Sequence, residues 1–231
     1  MAAGGAVADD LSLRVQSLPG LREQVTERLR TAIATGRFPP GARLVERELC
    51  ALLGVSRTSL REALRELQAD GLVTLQPNKG LSVAIVTAEI ARSIYEVRAM
   101  LEGLAARLFA RNASAAQIAA IGASVERLAD IYAAFDAEAF IAAKAEFYEI
   151  LLEGAGNPVA ADMLRRVHTR VSQLRVVSVS SPERAAQSLA ELRAFVAALA
   201  ARDEQRAWQL CLAHVKAAAE AALKVIRAGQ A

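Results

Sequence analysis

Histidine and cysteine each occur only twice in this 231-residue chain, tryptophan once, and aromatic residues make up just 4%. Each scarcity excludes something. Cys50 and Cys211 stand far apart and form no metal-type pair, so they read as two buried thiols of a reduced, cytoplasmic protein. Two histidines, with no nucleophile motif and no glycine-rich phosphate loop, argue against an enzyme. No long uncharged apolar run is present, so no transmembrane helix is expected. The opening "MAAGGAVADDLSLRVQ" carries acidic residues early and lacks the basic-then-apolar order of a secretory signal. The net charge of +3 is small.

What is plentiful is alanine and leucine, within a hydrophobic fraction of 54%. That composition predicts packed helices. The charge is also unevenly spread. Residues 20–86 hold ten basic against seven acidic side chains, while residues 87–231 hold seventeen against sixteen. The positive excess therefore lies mostly in the N-terminal third, a mild electrostatic footprint.

Hydrophobic spacing divides the chain into three parts. Residues 1–19 are small and polar and are expected to be a flexible tail. From Leu21, a four-residue stripe of Leu21, Val25, Leu29 and Ile33 predicts a helix that Gly36 stops. "RFPPGARL" cannot be helical. A short helix over "ERELCALLG" ends at Gly54, and Ser56 is placed to cap another running to about Asp70. "LVTLQ", "PNKG" and "LSVAIV" then read as strand, turn and strand. Residues 20–86 thus outline a winged helix–turn–helix with a small β-hairpin. Thr87 can cap a further helix. Breaks at Asn112–Ser114, Phe135–Asp136, "GAGNP", "SSPE" and Asp203 leave about six amphipathic helices over residues 87–231, an antiparallel bundle. The fold class is mainly α.

Within "GVSRTSLREALRELQADGL", Arg57, Arg61 and Arg65 recur every four residues, which stacks them on one helix face away from Leu60, Leu64 and Leu67. A row of arginines on a helix is commonly just solvated surface. Here a short helix and glycine turn precede it, a hydroxyl-rich cap opens it, and a hairpin with a basic tip follows. In a helix–turn–helix the second helix enters the major groove by its N-terminal half. The hydroxyls of Ser56, Thr58 and Ser59, with the early backbone amides, suit phosphates. Arg57 and Arg61 have the fork geometry to read guanine, and Lys79 at the hairpin tip can reach a minor groove or a phosphate.

The segment "LRTAIATGRFPPGARLVERELCALLGVSRTSLREALRELQADGLVTLQPNKG" closely resembles the DNA-binding domain of the GntR family of bacterial transcription regulators. The "G-x-x-x-P-G" turn, "E-x-x-L", "GVSRT-x-x-REAL" and "GLV" occur in the family's order over about sixty residues. The helical remainder resembles the ligand-sensing FCD-type domain of the FadR-like branch. The resemblance implies that Arg47, Arg57 and Arg61 read bases or phosphates. Ser56, Thr58 and Ser59 would grip the DNA backbone, and Lys79 with Gly80 would form the wing contact. It also implies a homodimer on a palindromic double-stranded operator, with residues 87–231 both binding effector and dimerising.

Many FadR-like sensing domains hold a metal through an Asp and a His four apart on one helix and two further His on later helices, a spacing that projects the ligands together. In this chain Lys144 and Tyr148 stand at the first two positions, Leu192 at the third, and only His214 matches. No metal and no other cofactor is expected. His168 is read as an ordinary surface or core residue. Two readings of the space remain. In one, Lys144 replaces the metal as the cation that holds a small organic acid, with Tyr148 and His214 beside it and Arg98, Arg166, Arg170 or Arg175 adding to the clamp. In the other the pocket is degenerate and silent, with Lys144 snorkelling outward and Arg98 simply paired with Glu102 at the surface. The helix after Thr87 is the expected lever between the two domains.

Overall fold

The computed structural model describes residues 20–76, 80–179 and 181–228. The expected tail and the hairpin tip with Lys79 lie outside the described residues.

The N-terminal module runs α1 (Leu21–Ala34), α2 (Glu46–Leu53), α3 (Arg57–Ala69), β1 (Val73–Gln76) and β2 (Gly80–Val83). Glycines with positive φ end the first two helical segments: Gly36 follows α1 and Gly54 caps α2, its N–H donating to the Cys50 carbonyl. Such a conformation suits glycine because no Cβ meets the backbone. Two residues later Ser56 caps α3, its Oγ accepting from the Ser59 N–H at 3.2 Å. The strands pair antiparallel with Val73 opposite Val83 and Gln76 opposite Gly80. An Arg43–Ser82 bridge lays the chain after the proline turn along the other edge of β2.

One core joins these pieces: Val25, Leu29 and Ile33 from α1, Leu49 from α2, Leu60, Leu64 and Leu67 from α3, and Val73 and Val83 from the hairpin. Leu21 departs from the expected stripe. As the first helical residue it projects past the end of this core and stays 52% exposed. Cys50 departs too: it packs only at the core's edge and is half-buried, whereas Cys211 is buried.

From Thr87 onward the described residues form six helices, α4 (Ala88–Asn112), α5 (Ala115–Ala133), α6 (Ala137–Ala155), α7 (Pro158–Ser178), α8 (Pro182–Ala200) and α9 (Glu204–Ala228). The breaks fall where the sequence places them. Thr87, Ser114, Asp136 and Ser181 each accept a backbone N–H at their helix start. Helix α4 is the axis of the bundle, packed against α6, α7, α8 and α9. No helix among the described residues is long and apolar enough to cross a membrane.

Close packing makes one glycine indispensable. A Cβ at Gly154 of α6 would overlap the ring of Phe109, which is fully buried on α4. Gly154→Ala gains about 1 kcal/mol of helix propensity but forces overpacking that costs about 1–3 kcal/mol. A net destabilisation of up to about 2 kcal/mol is expected by thermal or urea unfolding; a more stable variant would show that the two helices can separate freely.

The module and the bundle meet along α1, which packs on α6 and α7. At the end of α3, Gly71 (φ +76°) leaves room for Arg170 of α7, whose Nε would lie 3.2 Å from any added Cβ.

Candidate functional site

Two constellations carry chemistry. The first is the exposed start of α3. Arg57 and Thr58 are exposed, and Ser59 is half-buried with its Oγ 3.1 Å from Ser56 Oγ. The three arginines of the row differ in commitment. Arg65 donates to Glu62, and Arg61 Nε donates to both oxygens of Glu46 at 2.9 and 3.0 Å, tying α3 to α2. Arg57 has no carboxylate within ion-pair distance among the described residues, and neither has the exposed Arg47 on α2. Gly80 opens β2 with φ +76°.

The second constellation is buried in the bundle. Helix α4 has an apolar stripe of Ala91, Ile94, Tyr95, Ala105, Ala106 and Phe109, and in the middle of it stand Arg98 (1% exposed) and Glu102 (2%). The sequence-based reading of this pair as surface is therefore wrong: residues at these positions share the core face. Arg98 Nε donates to Glu102, and Arg98 Nη2 donates to the Tyr148 hydroxyl at 2.8 Å. That hydroxyl donates to Glu102 at 3.2 Å, and His168 Nε2 lies 2.8 Å from the same carboxylate. Burial alone would raise the Glu102 pKa, but Arg98, His168 and Arg175 outweigh it and hold the carboxyl well below its ordinary range. Burial, then the Arg175 charge, push His168 down to about 3. The ring is thus neutral at pH 7 and its Nε2–H is the donor to Glu102. Burial likewise carries Tyr148 up to about 12, keeping it a phenol.

Three cations surround the Tyr148 ring: Arg175 Cζ at 4.4 Å from its centroid, Lys144 Nζ at 5.0 Å and Arg98 Cζ at 6.0 Å. Against them stands one carboxylate. Arg175 Nη2 lies 4.0 Å from Glu102 Oε1, near enough for attraction but too far for a hydrogen bond. Among the described residues, four donors here lack a partner: Arg98 Nη1, Lys144 Nζ, and Arg175 Nε and Nη2. Burial, then the charges of Arg175 and Arg98, lower the Lys144 pKa to about 7. Lys144 is 4% exposed, so it does not snorkel.

The remaining expected site residues separate. His214 donates from Nδ1 to Glu191 at 2.7 Å, and its ring, driven down to about 4 chiefly by burial, is neutral at pH 7. It borders the cluster without a hydrogen bond into it. Arg170 and Arg166 are exposed on α7. Two residues beyond His168 a helix has turned roughly 200°, which puts Arg170 against Gly71 and outside the bundle. Arg175, seven residues beyond His168, returns to the inner face. His168 is the residue that sequence reasoning passed over; its place on the stripe Leu164, His168, Val171, Arg175 was the available signal.

The metal of the FadR-like branch does not fit these residues. No group of three or more His, Cys, Asp or Glu converges among the described residues. Lys144 occupies the centre, and Arg98 and Arg175 would repel a divalent ion.

Residues 21–83 match the family described as bacterial regulatory proteins, gntR family, and residues 93–217 match the FCD domain. The HTH-type transcriptional regulator YdhC of Bacillus subtilis is 29% identical over 192 residues, covering 83% of this chain and 86% of that protein. A probable D-xylose utilization operon transcriptional repressor of Paenarthrobacter nicotinovorans is 31% identical over 196 residues, covering 84% and 85%. The solved structure of Escherichia coli McbR/YncC superposes with a TM-score of 0.78 at 23% identity, over 92% of this chain and 99% of that one, which supports the fold.

Proposed function

The chain belongs to the gntR family of bacterial regulatory proteins and carries an FCD domain, and from that premise we propose that it is a homodimeric, DNA-binding transcription regulator, not an enzyme, whose bundle binds a small organic anion without a metal. The observation that carries the effector reading is the set of four unpartnered donors on Arg98, Lys144 and Arg175. Each buried donor without a partner costs about 1–3 kcal/mol. A carboxylate or phosphate would satisfy several at once with short, charge-assisted bonds. The ligand-silent alternative leaves that cost without compensation.

On the DNA side, α3 enters the major groove by its N-terminal turn. Arg57 reads a base edge. Ser56, Thr58 and Ser59 hold phosphate oxygens, and Arg47, Lys79 and Gly80 add flanking contacts. Arg61 reaches DNA by releasing Glu46, an exchange that costs little because an exposed ion pair is worth about 0–1 kcal/mol. A second copy would meet the exposed Val97 and Met100 of α4, giving the two-fold symmetry that a palindromic operator needs.

Arg57→Ala should weaken operator binding by about 1–3 kcal/mol and relax base preference at one position per half-site. Binding to operators selected from random DNA, measured against salt, tests this. An equal loss on every sequence would make Arg57 a phosphate contact, and no salt-sensitive duplex binding at all would remove the DNA-binding reading.

Coupling requires that effector bind the DNA-competent and incompetent arrangements unequally. Helix α4 follows the wing directly and carries Arg98 and Glu102. Helix α7 is a second lever: it carries His168 and Arg175 into the cluster while Arg170 touches Gly71 of the module.

A further inference from the structure

The cation cluster borders open space on one side, at Arg175, with Arg98 and Lys144 buried behind it. A cleft of about 350 Å³ between α1, α6 and α7 leads from solvent to Tyr148, His168 and Arg175. One of its walls belongs to the DNA-binding module: Glu27, Thr31 and Ala34 of α1 face Ile141 and Ala145 of α6 across it.

Charge is distributed along this cleft in a way that orients an occupant. At the rim the guanidiniums are already paired with carboxylates, although Arg30 Nε has no partner among the described residues. Arg165 donates to Glu149 at 3.0 Å and to Asp162 at 3.2 Å, while Arg30 donates to Glu27 at 2.5 Å and to Asp70 at 3.0 Å. On the floor the pairing is incomplete: Arg175 keeps two unpartnered donors, and behind it Arg98 and Lys144 keep one each. An anionic head is therefore drawn past the rim to the floor. What remains above the head is the short stretch bounded by Ile141 and Ala145 on one side and Thr31 and Ala34 on the other. The volume lies at the small end of the ~300–1,000 Å³ typical of ligand pockets, which leaves no room for a nucleotide or a long acyl chain.

We propose that the ligand is a compact organic carboxylate whose head rests on Arg175, backed by the charges of Arg98 and Lys144, and whose apolar body lies against α1, so that the DNA-binding module supplies one wall of the effector site. The inference rests on reading the cluster as an anion site. It makes coupling a matter of direct contact. A body touching Thr31 and Ala34 is held differently when α1 shifts, and linkage requires the converse, that the ligand biases where α1 sits.

The test is thermal unfolding of the full-length protein with inorganic phosphate, acetate or benzoate, read as affinity from the concentration dependence of Tm. All three anions should stabilise the wild type, benzoate most, because it has both head and body. Thr31→Trp fills the cleft from α1 and should weaken benzoate about tenfold while leaving acetate and phosphate unchanged. Thr31→Gln, a smaller intrusion from the same helix face, covers the case in which tryptophan unfolds α1. Unchanged benzoate affinity in both Thr31 variants overturns the shared wall and leaves the anion site standing. No response of the wild type to any of the three, or an equal response in Lys144→Met, overturns the anion site and this inference with it.

Discussion

Glu102→Gln is expected to lower the unfolding free energy by about 3–5 kcal/mol, the cost of breaking a buried ion pair by removing one partner. In a chain of this size that lowers Tm by roughly 6–20 °C. The substitution keeps shape and removes charge. Among the described residues Glu102 is the single carboxylate facing Arg98 and Arg175, and it also accepts from Tyr148 and His168. Without it two guanidiniums stay buried with no counter-ion, since arginine does not give up its proton. The pH dependence has a definite sign. The folded pKa of Glu102 is depressed, so its contribution is fully present above the ordinary value of 4.5 and is lost as pH falls from there toward the folded value. The gap between wild type and variant should therefore be constant at neutral pH and close in acid. A loss below about 1 kcal/mol at pH 7, the size of an exposed ion pair, would mean that Glu102 is not the counter-ion of this cluster.

Lys144→Met should do the opposite. Replacing a buried charged group by an apolar one of similar volume often stabilises by about 1–4 kcal/mol, and Lys144 lacks any hydrogen-bond partner among the described residues. The groups facing it are Arg98 and Glu102 of α4, Phe147 and Tyr148 of its own helix, Arg175 of α7, and Cys211 and His214 of α9. Burial and the two arginines lower its pKa from 10.5 to about 7. Between those values the unfolded chain binds a proton that the folded chain does not. Wild-type stability therefore falls as pH drops from about 10.5 to about 7 and falls no further below. The advantage of Lys144→Met should be largest at pH 7 and below, and vanish in strong base.

The same variant should lose its response to phosphate, acetate and benzoate, because the ammonium is part of what holds the head. In the wild type an arriving carboxylate favours the protonated lysine. Benzoate affinity should be level below about pH 7 and weaken by up to about tenfold per pH unit above it. Isothermal titration across that range reads the slope directly. A Met variant less stable than wild type at pH 7, or benzoate affinity independent of pH up to 9, would show that Lys144 does not titrate in this site.

How much of this was legible beforehand differs between the two constellations. The local structure of the proposed DNA-contact face could be read almost whole. Ser56 as a cap, Leu60, Leu64 and Leu67 inward and the arginine row outward all follow from one helical period within a contiguous segment. Only the commitments of the row, Arg61 to Glu46 and Arg65 to Glu62, depend on the tertiary structure. The bundle site was legible in parts. The sequence points to Lys144, Tyr148, Arg98 and Arg175, but it leaves open whether Arg98 enters the site or pairs with Glu102 at the surface, gives no role to His168, and assigns Arg170 to a site that it does not line. The stripe containing Arg98 and Glu102 was visible in the sequence, but an i, i+4 ion pair resembles ordinary surface charge unless its apolar neighbours are counted.

Element boundaries, caps and the division into a winged module and a six-helix bundle were set by local rules: glycines where φ must be positive, hydroxyls before helix starts, hydrophobic spacing of two or three to four. Those rules act within a few residues, so the linear chain contains them. Tertiary structure alone decided that three cations and one carboxylate from α4, α6 and α7 share the surroundings of Tyr148, and that α1 stands over the way in. Such encounters depend on the rotation and axial offset of helices far apart in sequence, and the sign and size of a buried charge's energy depend on which partner it meets there.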